Sequence, residues 1–157
     1  MNAILGTTRP HSKDLPDLVH KLLMARQESL VLFQKLAALK PFAATTPVRH
    51  TLRRFRQSLV DYLALGPFEV YEALEQQSGD SPYCPARELA RRLYARLSGT
   101  TQTALDFHDR YEGNVSGRAL AELDRELSRL GESLATRIEL EDRIIAAVQR
   151  TEIRIAA

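Results

Sequence analysis

Four histidines, one cysteine and twenty carboxylates are the groups on this 157-residue chain with which a metal could be held or a proton moved. A di-iron carboxylate bundle needs Glu-x-x-His pairs from two helices with further glutamates beside them, and the chain contains no Glu-x-x-His. Its nearest approaches are Asp17 with His20 and His108 with Glu112, and a lone seam histidine such as His108 reads as a hydrogen-bonded core residue. Cys84 sits between prolines in SPYCP, with no Cys or His at ligand spacing and no second cysteine to pair with. No Ser, Cys and His fall at a recognisable nucleophilic spacing. The expectation is therefore a protein that is not an enzyme, with no catalytic residue, no cofactor and no metal; a metal-binding four-helix bundle is the lesser alternative.

Charge is the stronger signal. The formal net charge is +2, yet from Gln57 to Ala86 there is no Lys, Arg or His, while Asp61, Glu69, Glu72, Glu75 and Asp80 all fall there. Just before this acidic zone, RHTLRRFR carries Arg49, Arg53, Arg54 and Arg56; just after it come Arg87, Arg91, Arg92 and Arg96. Such blocks are either solvated faces or matches for a partner of opposite sign. Arg49, Arg53 and Arg56 share a helical flank and make a nucleic-acid-binding helical protein the alternative function, since phosphate contacts need only such a stripe. Against direct nucleic-acid binding, no reading motif, Gly-rich loop or aromatic stacking platform accompanies the arginines, and the neighbouring acidic zone would repel a duplex.

The elements that must position these groups are helices. Leu, Ala, Arg and Glu dominate, Gly and Pro number seven each, and Trp is absent, a composition that favours an all-α fold. With 44% hydrophobic residues the length suits one domain, residues 1–157, with residues 1–13 as a loose N-terminal arm. No stretch approaches the roughly 18 apolar residues of a membrane span, so a cytoplasmic protein without membrane contact is expected. Pro and Gly clusters divide the chain into four helical segments. The first runs from about Asp14 to Lys40 with Val19, Leu22, Leu30, Phe33 and Ala37 along one stripe. The second follows ATTP, where Thr45 or Thr46 can cap, turns Leu52, Phe55, Leu59 and Leu63 inward, breaks at Gly66-Pro67 and resumes to about Gln77. The third begins after Pro85, with Leu89, Leu93, Leu97, Ala104 and Tyr111 inward and a weak middle at SGTT. The fourth opens near Ser116 and reaches about Thr151. Short loops favour antiparallel neighbours, giving a four-helix-bundle-like up-and-down domain with a broken second helix.

Two sets of charges stand out against this pattern. Spacing by three and four predicts a fourth-helix seam at Leu120, Leu123, Leu127, Leu130, Leu134, Arg137, Glu141, Ile144 and Val148, which puts an i, i+4 ion pair among leucines. Arg26 falls on the first helix's stripe in the same way. Either these side chains snorkel to the surface, or they line a polar cavity at one end of the bundle, where ionised groups persist only when paired and hydrogen-bonded. Asp61, by contrast, lies nearly opposite the buried side of the second helix, beside Gln57, Ser58, Ala64 and Leu65. Mixed apolar and acidic exposure of this kind suits a protein contact.

The run Gln57-Ser58-Leu59-Val60-Asp61-Tyr62-Leu63, followed by Gly66, Phe68 and Val70-Tyr71-Glu72, resembles the signature segment of the Rsd/AlgQ family of bacterial anti-sigma regulators. Arg26-Gln27 with Leu30 resembles that family's first helix, and Arg137-Ile138-Glu139-Leu140-Glu141-Asp142 its closing motif. The resemblance implies a non-catalytic regulator that binds the C-terminal, promoter-recognising domain of the primary sigma factor of RNA polymerase. In doing so it would compete with core polymerase and promoter DNA; a second protein partner stays open. It further implies Asp61, Leu65, Phe68, Glu69 and Glu72 as partner contacts, and Arg26, Tyr62, Tyr71, Arg137, Glu141 and Asp142 as an internal polar cluster. The chain departs from the family pattern at Pro67, where His is usual, and at His20, Leu22 and Met24, where Asp, Trp and His are usual.

Overall fold

A computed structural model describes residues 15–157, apart from the side chains of Pro67 and Phe68; the loose arm expected over residues 1–13 and the Phe68 contact lie outside the described residues. The protein is all-α. Helix α1 spans Leu15–Ala37, α2 Thr46–Leu65, α3 Tyr71–Glu75, α4 Cys84–Arg110, α5 Gly117–Ala121 and α6 Leu123–Ala156, and a π turn at Gly66–Val70 joins α2 to α3. The four long helices form a closed ring in which α1 packs on α2 and α6, and α4 on α2 and α6.

Side-chain pairs give the directions. Ser29 meets Ser58 and Phe33 meets Phe55, so residue numbers rise on α1 as they fall on α2. Arg26 pairs with Asp142 and Lys40 with Asp124, while Arg137 reaches Thr100 and Arg110 pairs with Glu122. Every neighbouring pair so marked is antiparallel, as loops this short require.

The fourth segment follows its predicted seam at every position from Leu120 to Val148, Arg137 and Glu141 included. Ser116 caps its start by accepting the Ala119 N–H, and the segment is divided at Glu122 into α5 and α6. On α1 the stripe differs from the expected one after Leu22: Ser29, Leu32 and Leu36 are buried, and Leu30, Phe33 and Ala37 lie at its margin. Ser29, and not the neighbouring Leu30, takes the inward place, one position or about 100° of helix from the apolar stripe.

Helix α2 begins with Thr45 in the N-cap position and Pro47 in the first turn, although the Thr45 hydroxyl makes no capping bond. Its interruption at Gly66-Pro67 is a π turn and not a gap: the Tyr71 N–H bonds back to the Gly66 carbonyl. Proline lacks the N–H that an α-helical ladder needs and crowds the carbonyl four residues earlier, and one extra residue per turn relieves both without ending the helix. The expected break is thus a local widening, and Val70, Ala73 and Leu74 continue the buried side. Helix α4 starts at Cys84 with Pro85 in its first turn and runs unbroken through SGTT, where Thr100 is buried. Leu89 is only partly buried; Ala86 and Ala90 take the inward places.

Candidate functional site

The acidic face is built on the end of α2, the π turn and α3. Asp61 and Glu72 are exposed, while Leu65 and Glu69 are half-buried beside them. Among the described residues Asp61 and Glu69 form no ion pair, and the Glu72 carboxylate accepts only the Gln76 side-chain N–H at 2.9 Å. Ser58, expected on this face, is instead buried: its hydroxyl donates to the Phe55 carbonyl at 2.9 Å and accepts from Ser29 at 3.2 Å. The relay from the Ser29 hydroxyl through the Ser58 hydroxyl to the Phe55 carbonyl leaves neither hydroxyl orphaned between α1 and α2.

In three dimensions the zone is not free of cations. Arg91 of α4 clamps Glu75 through Nε to Oε2 at 2.7 Å and Nη2 to Oε1 at 2.9 Å, and also reaches Glu88. The hydrogen bond from Arg91 holds the Glu75 carboxyl below its ordinary range. Between α3 and α4 runs a cleft of about 600 Å³ bounded by Tyr71, Glu72, Glu75, Tyr94 and Leu97, with Tyr94 63% exposed at its edge.

Directly beneath the π turn lies the charged seam. Glu141 is fully buried; its Oε1 accepts the Tyr62 hydroxyl at 2.5 Å and Arg26 Nη1 at 3.4 Å, and its Oε2 accepts Arg137 Nε at 3.0 Å. Arg26 Nη1 also reaches Asp142 at 2.9 Å, at the edge of the bundle. Arg137 is likewise fully buried, so it does not snorkel. Its Nη1 donates to Thr101 Oγ1 at 2.7 Å and to Thr100 Oγ1 at 3.1 Å, and its guanidinium stands 5.3 Å from the Tyr62 ring centre. Two cations and two carboxylates thus form one network linking α1, α2, α4 and α6, the pairing that lets charge persist in a core, although Arg137 Nη2 is buried without a hydrogen-bond partner among the described residues.

Electrostatics follow burial. Desolvation raises the Glu141 carboxyl above its ordinary value and outweighs the opposing pull of Arg137, the Tyr62 hydrogen bond and Arg26. Burial, with the nearby Glu141 charge, likewise pushes the Tyr62 and Tyr71 phenols upward, so both stay protonated. For Arg26 burial pulls down, but the hydrogen bond and charge of Asp142 carry its net shift upward.

The seam also braces the acidic face. A methyl at Gly66 would stand 3.1 Å from the Tyr71 ring and 3.2 Å from Arg137 Nη2, so the π turn lies directly on the guanidinium. Glycine is favoured there by close approach, its φ of −61° being ordinary.

A model of the family described as "Regulator of RNA polymerase sigma(70) subunit, Rsd/AlgQ" matches residues 5–149. The chain belongs to the Rsd/AlgQ family. It is similar to the regulator of sigma D of Yersinia enterocolitica (serotype O:8 / biotype 1B), with 34% identity over 132 residues, 82% of this chain and 78% of that protein. It is similar also to the regulator of sigma D of Enterobacter sp. (strain 638), with 35% identity over 133 residues and the same coverage. No solved structure matches the chain significantly.

Of the site residues that the Rsd/AlgQ resemblance implied, the structure brings Arg26, Tyr62, Arg137, Glu141 and Asp142 into one network. Tyr71 is placed over Gly66 with its hydroxyl unbonded among the described residues. Four residues of the interior that sequence reasoning missed are Ser29, Ser58, Thr100 and Thr101. Their signal was present as hydroxyls at seam spacing, and SGTT, read as a weak stretch of helix, is where α4 receives the Arg137 guanidinium.

Proposed function

We propose that the protein regulates transcription without catalysis, by binding the C-terminal, promoter-recognising domain of the primary sigma factor in the cytoplasm and so competing with core RNA polymerase and promoter DNA. The observation that carries this reading is an exposed Asp61 carboxylate with no ion-pair partner among the described residues, one helical turn from Leu65 and on the same stretch of chain as Glu69 and Glu72, in a protein of the Rsd/AlgQ family. A helix-turn-helix domain approaches DNA with basic side chains placed for phosphates. A rigid helical face bearing Asp61, Glu69 and Glu72 offers those side chains an alternative set of anions, and opposed charge sets speed and register of docking more than raw affinity. Leu65 and the Phe68 position supply the apolar part that such a contact needs at its centre. Arg26, Tyr62, Tyr71, Arg137, Glu141 and Asp142 act behind this face as positioning residues, fixing the π turn from which it projects.

The test is capture from the source cell with the tagged full-length protein. The primary sigma factor is expected to be retained, to be lost when its C-terminal domain is deleted, and to be released by excess core polymerase or promoter DNA. Retention of sigma lacking that domain would overturn the assignment of the partner domain, and no retention at all would overturn the reading.

A further inference from the structure

On another part of the molecule, a pocket of about 180 Å³ opens between α2 and the loop after α4. Arg49, Arg53 and Arg56 line its α2 side, four and three residues apart and hence on one flank; Gly113, Asn114 and Val115 line it from the loop. Arg56 is fixed in place, its Nε donating to the His108 carbonyl at 2.9 Å and its Nη2 3.2 Å from His108 Nε2, which leaves Nη1 without a hydrogen bond among the described residues. Arg49 and Arg53 are exposed and form no ion pair among the described residues. Gly113 adopts φ 72°, a left-handed residue of the kind found in backbone anion nests. The N–H groups of Gly113, Asn114 and Val115 donate no hydrogen bond among the described residues. The opposing charges are Glu112 and Asp109, both of which act on Arg56; three guanidiniums outnumber them. Burial lowers the Arg56 pKa in spite of those two acids, so this cation is under-solvated and gains from an added anion.

We propose that this pocket binds a small phosphate-type anion, either free phosphate or the phosphate end of a small monoester. Ligand pockets for whole drug-sized molecules run to about 300–1,000 Å³, so this volume suits one anionic group and excludes an enclosed nucleotide. Planar guanidiniums are the side chains best matched to phosphate oxygens. The lining of this pocket includes neither Asp61 nor any other residue of the acidic face.

The experiment is an NMR titration of the full-length protein with inorganic phosphate, with a simple sugar phosphate and with sodium chloride at matched ionic strength. Saturable shifts of the Arg49, Arg53 and Arg56 side-chain N–H signals and of amides 112–115 are expected with one or both phosphates and not with chloride. Tighter binding of the sugar phosphate would identify the monoester as the source, and equal binding free phosphate. The exposed Arg53→Glu is expected to weaken binding at least tenfold while the amide spectrum elsewhere stays that of the folded protein. Shifts that chloride reproduces, or that survive Arg53→Glu, would overturn the proposal. So would Arg53-dependent binding of a short DNA duplex with neither small phosphate binding, which would make the arginines a nucleic-acid surface.

Discussion

Glu141 and Asp61 are both carboxylates on long helices, and the protein uses them in opposite ways. Glu141 is fully enclosed and engages Tyr62, Arg26 and Arg137; Asp61 is exposed and, among the described residues, forms no ion pair. They sit on either side of one piece of chain, since Tyr62 follows Asp61 directly and gives its hydroxyl to Glu141. Charge inside this bundle fixes geometry, and charge outside it is left available. Mutations should therefore separate stability from binding.

The largest effect is expected from Arg137→Ala. It leaves Glu141 buried without its closest cation and the Thr100 and Thr101 hydroxyls without their donor, and breaking a buried pair in this way costs about 3–5 kcal/mol. Urea unfolding measures it, and a loss below about 1 kcal/mol would mean that the seam relaxes to admit water. The same pair has a pH signature. A carboxyl whose folded pKa is raised binds more protons folded than unfolded, so Glu141 makes stability fall as pH climbs from its ordinary value of 4.5 through its raised native value. Glu141→Gln should remove that segment of slope from the stability curve, whatever its absolute stability; an unchanged slope would mean that the pair stays ionised throughout.

Next in size is Gly66→Ala, which tests the join between the two regions. A methyl 3.1–3.2 Å from the Tyr71 ring and Arg137 Nη2 must displace one of them, and overpacking of this sort costs about 1–3 kcal/mol. The predicted variant is less stable and also weaker in sigma-domain binding, because the turn carrying the acidic face shifts. Loss of stability with unaltered binding would show that the face does not depend on its support.

How legible these regions were in the sequence differs for a physical reason. The α6 seam could be read through its two charges because seven apolar residues at strict three-four spacing fixed the phase on both sides of Arg137 and Glu141. Asp61 could be placed outward because Leu59, Leu63 and Phe55 fixed the phase of α2. The α1 stripe slipped because Ser29 holds a core position and looks like surface until its partner Ser58 is known. The clamp of Arg91 on Glu75 joins residues sixteen apart on different helices, and helical spacing says nothing about such pairs. The π turn was visible only as an interruption: Gly-Pro marks where an α ladder fails, and whether the chain widens or breaks is decided by packing of Val70, Ala73 and Leu74.

Asp61→Arg is the converse of the buried substitutions. An exposed side chain with no ion-pair partner among the described residues can be reversed in charge with little effect on folding, usually within about 0.5 kcal/mol, so unfolding should be almost unchanged. Affinity for the sigma C-terminal domain, measured by calorimetry, should fall more than tenfold, about 1.4 kcal/mol. Equal affinity would remove Asp61 from the interface and leave the acidic face a solvated surface.

The smallest effect should come from Arg91→Ala, and it sharpens the comparison most finely. The Glu75 pair is exposed on both sides, with 49% and 51% of the side chains accessible, so its loss should cost at most about 1 kcal/mol. The substitution also unmasks the Glu75 carboxylate three residues from Glu72 and makes the face more negative. If the partner responds to the summed field, its association rate at low salt should rise, and the gain should vanish as salt screens it. If instead only the geometry around Asp61 matters, the rate will be that of the unmodified protein at every salt concentration. The same variant opens one wall of the cleft between α3 and α4, so a slower association would show that Arg91 itself touches the partner, placing a cation inside a contact now described by its acids.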